Sequence, residues 1–78
     1  MTQIINSILD ARGLSCPLPI LKTKKALAQL ALGEMLEIIT SDPGSVKDLS
    51  SFCEQTGHEL VSSEIHEDEF IFVIKKDS

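Results

Sequence analysis

The chain has 78 residues, 42% of them hydrophobic and 24% charged, with twelve acids against seven Lys and Arg and a net charge of −5. That length bounds it to one domain, residues 1–78, near the lower limit for burying a core without staples. Its composition is that of a folded globular protein, not a disordered one. With no Trp or Tyr, three Phe and an acidic balance, it lacks the stacking platforms and basic surface of a direct nucleic-acid binder.

Residues 4–10 carry β-branched apolar side chains and predict a first strand. Arg12-Gly13-Leu14-Ser15 reads as a turn, and Cys16-Pro17-Leu18-Pro19 runs from it into an amphipathic stretch. A helix is predicted from Pro17 or Pro19 to Leu32, with Gly33 ending it in a left-handed cap. Its core face combines Ile20, Thr23, Leu27, Leu30 and Ala31. Lys22 and Lys25 point away, and Lys24 lies on the border. Residues 35–40 predict the second strand, and Ser41-Asp42-Pro43-Gly44-Ser45 breaks it. A second helix over residues 46–56 follows. Ser45 with Asp48 has capping-box spacing, Asp42-Pro43 is an equally good start signal, and Gly57 is the stop. Residues 59–65 and 69–75 predict a hairpin turning at Glu67-Asp68.

The order β-α-β-α-β-β, with right-handed crossovers, puts both helices on one side of the sheet. The expected fold is therefore α+β: a two-layer α/β sandwich with a mixed four-stranded sheet. Phe70-Ile71-Phe72-Val73-Ile74 is apolar throughout. This suits a central strand, or else a second sheet face covered by a partner or another copy.

Cys16 is the chemically informative residue. Proline is tolerated in a first helical turn, and the amides left unpaired there, with the helix dipole, favour a thiolate. Arg12, Lys22, Lys24 and Lys25 make residues 11–33 a basic segment without a single acid, while the other three bases are set against all twelve acids. Arg12, Lys22 and Lys24 are accordingly candidate contacts for a sulfur anion or an acidic partner, although lysines on such a face can equally serve solubility. Cys53 recurs with Val46 and Leu49 at helical spacing and reads as a core residue, with a Cys16–Cys53 disulfide switch as the alternative. The two cysteines have no zinc-site spacing, the His66 cluster of Glu64, Glu67, Asp68 and Glu69 reads as a charged hairpin tip, and no phosphate loop surrounds Gly13. No metal or cofactor is expected. The absence of an export pattern or membrane-length apolar run predicts a cytoplasmic protein that does not engage membranes.

Asp10, Gly13, Cys16-Pro17-Leu18-Pro19, Asp42-Pro43, Phe52-Cys53 and His58-Glu59-Leu60 together resemble the TusA-like (SirA/YedF/YhhP-type) sulfur-carrier proteins over almost the whole chain. The resemblance implies that Cys16 accepts a sulfane sulfur as a persulfide, carried covalently without a cofactor, and relays it. Asp10, Gly13, Pro17 and Pro19 would support the motif. It also implies a donor, a cysteine desulfurase or rhodanese-like protein, and an acceptor sulfur-relay protein. The chain would act with these partners as a monomer or weak homodimer, more carrier than self-sufficient enzyme. Two other classes fit the residues: a thiol-redox protein using Cys16 and Cys53, and a non-enzymatic regulatory interaction module.

Overall fold

The computed structural model describes residues 5–15 and 17–77. Six elements follow one another as β1 (Ser7–Ala11), α1 (Leu18–Ala28), β2 (Met35–Thr40), α2 (Ser45–Thr56), β3 (Glu59–His66) and β4 (Glu69–Lys75). The sheet order is β1-β2-β4-β3. β1 runs parallel to β2, and β4 runs antiparallel to β2 and β3. α1 packs on β1 and β2, α2 on β3 and β4, and the helices touch each other. This is the expected two-layer sandwich.

Alternation along β2 explains its placement: Leu36, Ile38 and Thr40 are fully buried under the helices, while the residues between them are half-buried on the far face. Phe72 and Ile74 of β4 lie opposite Ile38 and Leu36 on that inner face and are also fully buried. Ala11, Leu27, Leu49 and Cys53 complete the cluster. Burying each large apolar side chain contributes roughly 1.5–3 kcal/mol of transfer free energy. β4 lies between two strands, so even Val73, on the face away from the helices, is only 5% exposed. The continuous apolar run is that of a central strand.

Three expectations are corrected. β1 begins at Ser7, so residues 5 and 6 precede the strand, and Ile4 lies outside the described residues. Asn6 instead pins β2: its Oδ1 accepts from the Met35 amide at 2.9 Å, and its own amide donates to the Met35 carbonyl at 3.0 Å. α1 stops at Ala28, not Leu32. The Gln29 and Leu30 amides tighten onto the Ala26 and Leu27 carbonyls. The Ala31 amide is then taken by Glu34 Oε1 at 2.7 Å, and the Leu30 carbonyl by Lys76 Nζ at 2.7 Å. Gly33 does adopt a left-handed φ of 88°, but it turns the chain into β2, its amide donating to the Lys76 carbonyl. Ser45 forms no capping box either. Its buried hydroxyl lies 2.6 Å from Thr40 Oγ1 and donates to the Asp42 carbonyl, fastening α2 to the end of β2.

Candidate active site around the Cys16 loop

The loop between β1 and α1 lies at the carboxyl end of the parallel pair β1 and β2, where open α/β sheets place their ligands. Cys16 itself falls outside the described residues. Its setting is defined by the residues on either side. Asp10, the exposed penultimate residue of β1, accepts three hydrogen bonds from Arg12: from the backbone amide at 3.1 Å, Nε at 3.0 Å and the NH2 nitrogen at 2.9 Å. These bonds hold the Asp10 carboxyl near a pKa of about 2, against an ordinary 3.8, and raise the Arg12 guanidinium. The remaining arm of Arg12 donates to Glu69 Oε2 at 3.1 Å, tying the loop to the start of β4.

Gly13 has φ 81°, a conformation disfavoured for side-chain-bearing residues, and open space where a Cβ would stand. The position needs glycine for its backbone angle and not for lack of space. Its amide donates to Ser41 Oγ at 2.9 Å, joining this loop to the one after β2. Leu14 closes back on the Ala11 carbonyl. Asp10 and Gly13 thus fix a loop clamped by Arg12, Glu69 and Ser41.

Pro17 is the cap position immediately before α1, and Pro19 is buried in its first turn. Neither carries an amide hydrogen, and the Leu18 amide already donates to the Ser15 carbonyl at 2.9 Å. The first residues of α1 therefore offer fewer free donors than the motif alone led us to expect, leaving the helix dipole and nearby cations as sources of positive potential. Among the cations, Arg12 is occupied by Asp10 and Glu69. Lys22 and Lys24 are exposed on α1, and among the described residues no salt bridge engages either.

A family model described as Sulfurtransferase TusA matches residues 7–76. The chain belongs to the TusA family. It is 53% identical over 68 residues to the sulfur carrier protein TusA of Allochromatium vinosum, covering 87% of this chain and 90% of that one. The crystal structure of a SirA-like protein from Desulfitobacterium hafniense superposes with a TM-score of 0.80 at 26% identity, over 92% of this chain and 99% of that chain.

In this TusA-family chain Cys53 belongs to the core: it is 5% exposed among Leu27, Leu49 and Phe72, and burial pushes its thiol up to about 11. His66 pairs with Glu64 Oε1 at 2.8 Å on the hairpin. Among the described residues no group of three or more His, Cys, Asp or Glu is arranged to hold a metal, and no helix is long and apolar enough to cross a membrane. Sequence reasoning missed Glu69 and Ser41 as the far anchors of the loop. Glu69 is 57 positions from Arg12 and Ser41 is 28 from Gly13, and no local pattern signals either pairing.

Proposed function

We propose that this chain is a sulfur carrier that accepts a sulfane sulfur as a persulfide on Cys16 and passes it to an acceptor protein. The observation that carries the reading is the family membership, with its 53% identity to a sulfur carrier over most of the chain. The clamps on Arg12 and Gly13, in the loop that leads toward Cys16, support it physically, because a nucleophile that must meet another protein's sulfur gains from a fixed approach.

In the proposed step the Cys16 thiolate attacks the outer sulfur of a donor persulfide. A sulfur–sulfur bond forms to Cys16, the donor's own sulfur–sulfur bond breaks, and the donor leaves as a thiolate. The sulfane sulfur keeps its oxidation state, so the exchange needs neither oxidant nor cofactor. The persulfide's proton is lost to solvent, and the anion left on Cys16 is stabilised by the α1 dipole and by Lys22 or Lys24. Pro17 and Pro19 stiffen the start of the helix; Asp10 and Gly13 hold the strand end and turn before it. An acceptor thiolate then repeats the attack on the outer sulfur and restores Cys16. Donors of this chemistry are a cysteine desulfurase or a rhodanese-like protein working in the cytoplasm, and the acceptor is a further sulfur-relay protein.

A two-cysteine redox reading is disfavoured by Cys53, whose buried thiol with a pKa of about 11 is a poor nucleophile. The test of the carrier reading is Cys16→Ser. The variant should fold, with an unchanged far-ultraviolet spectrum and melting transition, yet gain no sulfur by intact mass when incubated with glutathione persulfide. Undiminished charging of the folded variant would remove Cys16 from the role.

A further inference from the structure

β1 is an edge strand: β2 pairs with one side of it, and among the described residues no strand pairs with the other. Alternate residues of β1 therefore turn their amide and carbonyl groups toward open space, a template for one more strand. The opposite edge, β3, is guarded. Its pairing with β4 shifts register between Leu60 and Ser62, and it carries Glu59, Glu64 and His66. Irregularity and charge of this kind discourage further pairing. β1 has no shift in its register with β2 and contains neither proline nor lysine. Its Ile8, on the face away from the helices, is 64% exposed.

Beside that open edge the sandwich leaves a cleft of about 460 Å³ between β1 and α1. Ser7 and Leu9 form its strand wall, and Lys22, Lys25, Ala26 and Gln29 line it from α1. Those four residues stand at helical spacing and make one stripe along the helix. The cleft is apolar at Leu9 and Ala26 and positive at its rim. Among the described residues no salt bridge engages Lys22 or Lys25, and the sequence holds no acid between residues 11 and 33.

We propose that the β1 edge and this cleft bind an extended segment of another protein, added to the sheet as a fifth strand and carrying carboxylates and apolar side chains. Each feature sets one property of the occupant. The open backbone requires an extended conformation, and side chains on one face of the added strand enter the cleft. There Leu9 and Ala26 take apolar groups, and Lys22 and Lys25 take carboxylates. Side chains on the other face cover Ile8. The five residues of β1 span about 17 Å, so the segment needs only five or six residues. Charge disfavours a second copy as the occupant. Pairing β1 with β1 across a two-fold axis would set the two α1 stripes side by side, lysines against lysines. The proposal concerns a surface that acts without Cys16 and does not depend on the sulfur-transfer reading.

The test selects twelve-residue peptides from a random displayed library on the immobilised protein, and the enriched sequence is then synthesised. Enriched peptides should hold more acids than bases, with apolar residues among them. When the synthetic peptide is titrated in, the largest amide shifts by NMR should fall on residues 7–11 and 22–29. Methylating the peptide's backbone nitrogens at the alternate residues that pair with β1 should weaken binding about tenfold or more. Methylating the intervening residues should change it little. Lys22→Glu combined with Lys25→Glu should weaken binding about tenfold, and by less at high salt. Lys47→Glu, on α2, should match wild type. Should the double variant fail to melt cooperatively, the methylated peptides read the same contact on an unaltered protein. Four results would each overturn the proposal: no enrichment, enriched peptides that are basic, shifts centred on Leu18 and Leu21 or on the β3–β4 hairpin, or equal tolerance of both methylation patterns. A wild-type dimer that sediments as such and excludes the peptide would also overturn it, assigning the edge to a second copy.

Discussion

Asp10 grips Arg12 through three hydrogen bonds, and that grip decides what Arg12 can do. A guanidinium engaged by both Asp10 and Glu69 acts as a clamp on the loop, its charge already countered by two carboxylates. The carboxyl side follows by linkage. Because Asp10 titrates near 2 in the fold and near 3.8 when free, the stabilisation is fully present above pH 4 and is lost as pH falls through 2. Carboxyl NMR should show a midpoint near 2, returning toward the ordinary value in Arg12→Gln. A wild-type midpoint at the ordinary value would contradict the clamp. Cys53 is the opposite case, a thiol silenced by burial. Cys53→Ala should lower stability by about 1 kcal/mol, or about 4–8 °C in Tm for a domain of this size, and leave sulfur charging intact. Lost charging in a protein that still melts cooperatively would restore the two-cysteine mechanism.

The two helices end in different ways, and the difference marks how far local sequence reaches. α2 ends at Gly57 in a left-handed conformation at φ 86°, its amide donating to the Cys53 carbonyl. That stop needs only one residue type at one place, so it was legible. Gly57→Ala should cost about 1–2 kcal/mol in urea unfolding, since a Cβ disfavours that conformation. Gly44→Ala should be nearly neutral, because Gly44 has an ordinary φ of −67° and the nearest atom to an added Cβ is an Asp42 carboxylate oxygen at 3.5 Å. Equal losses in the two variants would show that backbone conformation is not what Gly57 supplies. The end of α1 was not legible. The chain just past Ala28 is held instead by Glu34, which takes the Ala31 amide, and by Lys76, 46 positions away from the Leu30 carbonyl it takes. Ser45 failed as a capping residue for the same kind of reason: Thr40 and the Asp42 carbonyl compete for its hydroxyl.

At the scale of the whole molecule, the architecture followed from the pattern of apolar residues because alternate side chains of β2 fill its inner face against the inner side chains of β4. The five apolar residues of β4 pointed to a central strand, and β4 does lie between β2 and β3. The loop network was hidden from the sequence, since Arg12, Glu69, Gly13 and Ser41 meet only after β1, β2 and β4 are aligned side by side. The separation of charge was visible at once: a basic helix on an otherwise acidic body. Folding turns that segregation into a surface by burying one side of α1 and leaving Leu18, Leu21 and the lysines on the other. The most direct measurement is peptide-mapped mass spectrometry of the protein isolated from its own cell without reductant. We predict one extra sulfur atom on the peptide holding Cys16, removed by dithiothreitol and absent from the peptide holding Cys53. Extra sulfur confined to the Cys53 peptide, or a Cys16–Cys53 disulfide in molecules that never carry a persulfide, would contradict it.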